Sequence, residues 1–415
     1  MLNASFIEIN LTAVANNIRL VRQIVGPSCL LCPIVKADAY GLGATRIAKT
    51  LLGAGAEMLA VYTPQQATEL IQAAIGSPIL VLMPVREIDR VDEIYRGLIR
   101  GKLHLCVHDE QHLNCLIAIA ERFGANIPVH LEVDTGMSRG GCALQEAPAI
   151  LRRIAAHSRL QLAGLFTHFA NAEQDQAMTD QQMLAFDELI EQQADYIPAS
   201  CLIHAANTFA TLRTDRYHKS MVRIGLAWAG FGMESITSGE IIADGQHLQP
   251  AITWRSQLVQ LRTIPKETSV GYGSRWTASR QSIIGLVPVG YADGYPAGAG
   301  QVDREKQRGI VAIEHQHQLH FAPVVGAVNM DQITVDLTDI VAKTGQLPIG
   351  TPVQLITPDA TAPNHLPQLA EVAGTFTHEM MCRLNSRIKR TYYTTAHLEQ
   401  ASAPASGKSA AVPSS

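Results

Sequence analysis

The amino-acid sequence predicts an α/β protein: a (β/α)8 TIM-type barrel over residues 11–240 and a mostly antiparallel β-domain over 241–398, which residues 1–10 are expected to join. Three observations predict it. Between about Leu31 and Gly230, short apolar runs that end in polar or glycine-rich turns alternate with segments of helical period. After Ser235 the texture changes to alternating, β-branched runs separated by Gly, Pro and Asp. No G-x-G-x-x-G follows the first run, which removes the usual mark of a doubly wound sheet, the structural alternative.

The apolar runs of the first half are Cys32–Val35, Met58–Tyr62, Ile79–Met83, Leu103–Val107, Val129–Val133, Leu160–Phe166, Cys201–Ile203 and Met221–Ala227. Runs this apolar suit parallel strands buried on both faces. Between them Pro64–Ala74, Glu110–Arg122, Leu144–Ala156 and Gln181–Ala194 carry the helical period. The second half offers Ala251–Thr263, Ile283–Val289, Gly309–Glu314, Leu319–Val325, Gln332–Leu337 and Val353–Ile356 as strands. Ser5–Ile9 alternates too and is a candidate to pair with them. Ala401–Ser415 is small, polar and proline-containing, so residues 399–415 read as a disordered tail.

Bulk properties narrow the function classes. The 415 residues are 47% hydrophobic and 17% charged, as in a globular enzyme of two domains. A net charge of -4 without long runs of one sign points away from nucleic acid. No basic start with a long apolar run marks a signal peptide, and no stretch is long enough to span a bilayer. Seven cysteines, an odd and modest number, argue against a disulfide framework and for a reducing compartment, with cytoplasm as the expectation.

Barrels of this kind carry their chemistry at the C-terminal ends of the strands. The first strand leads into Val35-Lys36-Ala37-Asp38-Ala39-Tyr40-Gly41-Leu42-Gly43, and Val129–Val133 leads into Asp134-Thr135-Gly136-Met137-Ser138-Arg139. Others end at His168, at His204 with Asn207 beyond it, and at Arg223 with Gly225. A lysine at the mouth of an apolar strand is desolvated, which favours the neutral amine that a Schiff base needs. Alone, it is better explained by snorkelling to solvent. Alone, His168 reads as a hydrogen-bonded structural histidine, whereas Met221-Val222-Arg223 with Gly225 two residues on argues against a merely salt-bridged barrel arginine.

Taken together, these segments resemble the alanine racemase family. Val35–Gly43 resembles its lysine motif for pyridoxal 5'-phosphate (PLP), in which asparagine commonly stands at Asp38, and Asp134–Arg139 resembles its Asp-Thr-Gly-Met-Gly-Arg. Phe166–Ala170, His204–Thr208, Met221–Gly225, Val270–Gly273, Gly290–Pro296 and Asn329–Gln332 come in the family's order. The resemblance runs from about residue 5 to 395.

The resemblance implies a PLP-dependent isomerase that interconverts L- and D-alanine, for D-alanine biosynthesis or breakdown, as a homodimer with shared active sites. Lys36 would hold PLP and serve one face of it, and Tyr272 from a partner subunit would serve the other. Racemisation needs such a pair, because the α-proton leaves from one side and returns to the other. A tyrosine with an ordinary pKa of about 10 needs positive charge nearby to act as a base, and His168 and Arg223 are the family's network for this. Arg223 would face the pyridine nitrogen and leave it largely unprotonated, because arginine keeps its proton. Tyr40, Thr208 (usually serine), Gly225 and Leu226 would bind the phosphate through hydroxyls and backbone N–H groups. Asn207 joins the cofactor set. Arg139 would contact the cofactor phenolic oxygen and the substrate carboxylate. The Met330 backbone would be a second anchor, with Tyr291 lining the entry and Asp331 in support.

The sequence departs from the family in three places. Glu132 stands where many members have a carbamylated lysine, and is expected to hold Arg139 by a charge-assisted hydrogen bond. Ala327 replaces an arginine. His378 replaces a tyrosine that reaches the phosphate; it would still donate a hydrogen bond and is able to add charge, and it leaves substrate choice open to serine or a broader range. A PLP decarboxylase of the same architecture and a non-catalytic PLP-binding protein are the competing readings. Cys29-x-x-Cys32 enters a strand and is set aside as a redox motif. His315, His317 and His320 are set aside as a metal site, although alternation places the first two on one face. His378-Glu379 lacks the second histidine of a zinc protease, so no metal is expected.

Overall fold

A computed structural model of the chain describes residues 4–90, 92–236, 247–300 and 308–395. The expected tail, 399–415, lies outside the described residues. The fold is a barrel of parallel strands joined to a mostly antiparallel β-domain.

The chain opens with β1 (Phe6–Asn10). The barrel strands are then β2 (Leu30–Pro33), β3 (Leu59–Val61), β4 (Ile79–Val81), β5 (Leu103–Val107) and β6 (Ile127–Asp134), succeeded, after the two-residue β7 (Cys142–Ala143), by β8 (Leu160–Phe166), β9 (Leu202–His204) and β10 (Met221–Ile224). Strands β3, β4, β5, β6, β8 and β9 run side by side in that order, and β10 pairs with β2. Backbone bonds from Val35 N–H to Ala60 O (2.9 Å) and from Ser220 N–H to Ile203 O (3.0 Å) close the two seams. β3 and β4 are buried at every residue, the burial on both faces that their apolar runs require.

Helix boundaries obey local chemistry. Thr63 and Gln66 form a capping box before Pro64–Gln72, and the Asp109 carboxylate accepts from His112 N–H to start Glu110–Phe123. The expected Gln181–Ala194 helix is Gln176–Gln192, started one turn earlier by the Asp175 cap.

The second half contains β11 (Ile252–Gln257), β12 (Gln260–Ile264), β13 (Ser269–Val270), β14 (Trp276–Thr277), β15 (Ser282–Val287), β16 (Ile310–His315), β17 (Gln318–Pro323), β18 (Ile333–Asp336), β19 (Pro352–Ile356) and β20 (Lys389–Tyr393). The main sheet has the order β17-β16-β19-β11-β1-β20, and β12-β15-β18 form a second sheet. β1 thus pairs with β11 and β20, not with a barrel strand. Two expectations need correction. Ala251–Thr263 is two strands in different sheets, because the chain crosses between them at Leu258 and Val259, whose N–H groups donate to Thr351 O and Leu286 O. His317 is not on a strand face with His315: Gln316 and His317 form the tight hairpin turn, with φ of 52° and 62°.

No described helix is long and apolar enough to cross a membrane. Among the described residues no group of three or more His, Cys, Asp or Glu side chains is placed to hold a metal. All seven cysteines are free, and burial pushes Cys29 and Cys32 up to about 11 and about 12, away from reactivity.

Candidate active site

Lys36 lies just past β2 at the C-terminal mouth of the barrel. Burial, and then the nearby charge of Arg139, lower its pKa, so the neutral nucleophilic amine is favoured. The next four residues are unusual: Ala37, Asp38, Ala39 and Tyr40 all have φ between 52° and 55°, a left-handed turn. For L-residues this costs roughly 1–2 kcal/mol each, and strain of this kind gathers at functional sites. The surroundings hold it in place. Asp38 accepts from Ala44 N–H (2.7 Å) and Gly43 N–H (2.9 Å). Strand β20 clamps the turn through Arg390 to Gly41 O (3.1 Å) and Tyr392 to Leu42 O (3.0 Å). The turn aims Tyr40 inward, where its ring stacks on Trp228.

A cradle lies beneath the Tyr40 hydroxyl. A Cβ at position 225 would overlap that hydroxyl, so only glycine leaves the space open. The Thr208 hydroxyl accepts from Gly225 N–H (3.0 Å) and Ala227 N–H (3.3 Å). Tyr40, Thr208, Gly225 and Leu226 therefore converge. Asn207 adjoins them, but its side chain caps the helix Thr208–Arg213 by accepting from Ala210 N–H (3.0 Å).

Arg223 sits on β10 opposite Cys32 and is only 4% exposed. No carboxylate pairs with it among the described residues. Its Nη1 donates to His204 Nδ1 (2.7 Å) and His204 O (3.2 Å). Its Nη2 donates to Thr167 O (2.9 Å), His168 Nδ1 (3.1 Å) and Ala205 O (3.2 Å). The guanidinium lies over the Phe166 ring, which also stacks on His204. Among the described residues Nε has no acceptor, so one N–H of a buried arginine is left for a ligand atom. Arginine donates only, so both histidines present an unprotonated Nδ1. Burial and then Arg223 push His168 well below its ordinary value, with Arg139 and Lys36 adding to the shift. The proton of neutral His168 is therefore on Nε2.

Arg139 is exposed at the rim of a small pocket that it lines with Glu132, Val133, Asp134, Met137, Gly140, Thr167 and His168. The Asp134 carboxylate shapes the loop that carries it, accepting from the N–H groups of Gly136, Met137 and Ser138. Partial burial pushes Asp134 up, but these donors outweigh it and the net shift is down. The expected Glu132–Arg139 pair is not formed. Glu132 lies 3.1 Å from Nδ1 of His108, whose Nε2 faces Leu82 O at 2.8 Å. A ring nitrogen stands closer to the carboxylate than the exposed arginine does, and sequence reasoning passed His108 over because it lies on a neighbouring strand end.

His378 comes from the C-terminal part and meets the Tyr40 ring edge-on at 5.9 Å. Burial, and then Lys36, lower it to about 4. It is a neutral hydrogen-bonding group near neutral pH, which corrects the expectation that it adds charge.

The remaining candidates lie apart. Tyr272, on the turn after Gly271, is 79% exposed, Met330 55% and Tyr291 49%. Among the described residues none of them bonds to Lys36, Arg139 or Arg223. The turns of Tyr291 and Met330 are tied to each other: Tyr291 N–H and Ala292 N–H donate to Asn329 O and Met330 O, and Arg387 bridges Asp293 and Asp331 at 2.8 Å each. Ala327 backs Gly271, at the base of the Tyr272 turn.

Comparison with known proteins matches this arrangement. Residues 9–232 match the family model of the alanine racemase N-terminal domain, and residues 251–392 that of its C-terminal domain. The chain is 31% identical over 386 residues to the alanine racemase of Halothermothrix orenii, covering 93% of this chain and 96% of the relative. The structure superposes on the alanine racemase of Streptomyces lavendulae with a TM-score of 0.80, at 28% identity, over 95% of this chain and 98% of that one. It superposes on the Bartonella henselae alanine racemase, a structure with covalently bound pyridoxal phosphate, with a TM-score of 0.78 at 25% identity, over 94% and 99%.

Proposed function

The chain belongs to the alanine racemase family, racemases of alanine within the isomerases, and from that premise we propose that it works by two bases: Lys36 on one face of PLP and Tyr272 of the partner subunit on the other. One observation carries this reading: a buried arginine whose Nε–H has no acceptor among the described residues, beside a lysine with a lowered pKa and a glycine cradle under two hydroxyls. These groups fit PLP. When bound, PLP supplies an electron sink that acidifies the α-hydrogen of the amino acid joined to it.

The chain's own residues have separate tasks. Lys36 holds the cofactor covalently and moves the proton on its face. Tyr40, Thr208, Gly225 and Leu226 hold the phosphate, with His378 as a neutral donor beside Tyr40. Arg223 would offer Nε–H to the ring nitrogen and, because it keeps its proton, would leave that nitrogen unprotonated, an arrangement suited to returning the α-proton and not to a decarboxylase. His168 presents Nε2–H, the hydrogen suited to hold the phenolate of Tyr272 of the partner subunit. Arg139 and the Met330 backbone hold the carboxylate, and Tyr291 lines the entry.

A homodimer is part of the proposal. Its support is the high exposure of Tyr272, Met330 and Tyr291, with no bond to their own chain's Lys36 among the described residues. We place the domain boundary between residues 240 and 241, which lie outside the described residues, in the interval between the two matched family models. Free thiols throughout support a reducing compartment such as the cytoplasm.

Subunit complementation tests the proposal. Lys36→Ala and Tyr272→Phe proteins, each inactive, are unfolded and refolded together. A hybrid dimer has one intact site, so statistical mixing restores about a quarter of the wild-type sites. Alanine racemisation and α-deuterium uptake in heavy water at about that level support the reading. No recovery in verified hybrid dimers overturns the shared site. Carbon dioxide release by the wild-type protein would point to the decarboxylase, and absence of deuterium uptake in it to a carrier. A panel including serine defines the side-chain range.

A further inference from the structure

The barrel interior holds a line of three histidines that the proposed mechanism does not use. His104 is on β5, His130 on β6 and His204 on β9. His204 Nδ1 faces Arg223 at 2.7 Å, His204 Nε2 faces His130 Nδ1 at 2.9 Å, and His130 Nε2 faces His104 Nδ1 at 2.9 Å. His130 and His204 are fully buried, and the His104 ring is partly exposed at the far end.

The backbone is built around this line. A register shift after Val129 sets Gly164 of β8 opposite His130. A Cβ at 164 would overlap the His130 ring, so the absent side chain lets that ring cross β8 and reach His204. His104 reaches His130 diagonally, because Cys106 is the residue opposite His130.

The hydrogens in such a line have one possible order. Arginine only donates, so His204 Nδ1 is bare and its proton is on Nε2. That proton fills His130 Nδ1, which puts the His130 proton on Nε2, and the same step repeats at His104. Reversing any link sets two protons face to face. We propose that His104, His130 and His204 form a one-way hydrogen-bond chain that fixes the orientation of Arg223, so that His104 and His130 are positioning residues for the group facing the ring nitrogen. The link to that nitrogen rests on the reading above; the order of the protons does not.

The charged and titratable groups around the chain are Lys102 near His104, and His168, Cys32, Cys106, Glu132 and Arg139 around Arg223. Lys102 at His104, and Arg223 at His130 and His204, oppose a further proton on the chain, and a proton gained at any Nδ1 breaks a link.

The test is nitrogen-15 spectroscopy of histidine-labelled protein, loaded with PLP and again after its removal. All three rings are expected as the Nε2–H tautomer in both states, with no titration of His130 or His204 between pH 5 and 8. An Nδ1–H tautomer at any of the three, or titration of His204 near 6.5, overturns the chain whatever PLP does. His130→Leu leaves His204 Nε2–H without an acceptor. Its turnover is expected to fall about tenfold, the order of one hydrogen bond, and His204 to become a tautomer mixture. His130→Asn restores an acceptor oxygen and is expected to return both readouts most of the way. Equal loss in the two variants, with His204 unchanged, would mean His130 merely fills space. If His130→Leu does not fold, the wild-type tautomers still decide.

Discussion

The barrel half of the proposed site and the β-domain half differ in how far a single chain finishes them. Around Arg223 the four Nη hydrogens have acceptors, a phenyl ring backs the guanidinium, and two histidines are held to one tautomer by its N–H donors. Around Tyr272 no such set is built, and the side chain stands in solvent. The difference teaches where each kind of chemistry can be stored. Electrostatic preorganisation needs burial and satisfied donors, which one chain can supply alone. A second base on the opposite face of a planar group needs a second direction of approach, which this chain leaves to another copy.

The largest expected effect is in the barrel half. Lys36→Ala removes both a covalent anchor and a proton carrier. Racemisation and α-deuterium exchange are each expected to fall about 10⁴-fold or more, with PLP lost on gel filtration. Retention of cofactor at the wild-type level would move the anchor elsewhere.

Tyr272→Phe breaks the comparison from the other side. Turnover is expected to fall about 10²–10⁴-fold, while cofactor retention and the melting temperature stay at wild-type values because the hydroxyl is exposed. A variant that lost PLP would show that the two halves are not separable.

Glu132→Gln is expected to be milder. It removes the counter-charge beside His108 and from the pocket that Arg139 lines. A rise of about 3–10-fold in KM for alanine is expected, the order of one charge-assisted bond. Unchanged kinetics would make the pair purely structural.

The smallest effect is a pH dependence of stability. Burial holds His104, His112 and His378 down to about 4, with Lys102 adding to it at His104 and Lys36 at His378. In the unfolded chain they titrate near about 6.5. Between these values the unfolded state binds more protons, so the contribution of these three falls as pH drops from about 6.5 to about 4. His104→Ala is expected to flatten that fall, seen as a smaller difference in urea midpoint between pH 7 and pH 5. The same slope in the variant would show that His104 is not held neutral.

What the sequence determined by itself was whatever local pattern encodes. Continuous apolar runs fixed the barrel strands to within a few residues, because a strand buried on both faces has no polar side to show. Residues such as Lys36, His168 and Arg223 were legible because they end those runs, where a barrel keeps its chemistry. The tertiary structure decided everything that depends on two strands meeting. Nothing local in Ala37–Tyr40 announces a left-handed turn; β20, more than 300 residues away, holds it. Glu132 found His108 instead of Arg139 because a carboxylate pairs with the group a neighbouring strand presents to it, and nearness along the chain does not bring Arg139 any closer in space. The same holds for Gly164, an ordinary residue in an apolar run until His130 crosses above it. Burial, and with it every shifted proton in this site, belongs to the assembled barrel: desolvation depends on all the atoms around a group, and a sequence names only two of its neighbours.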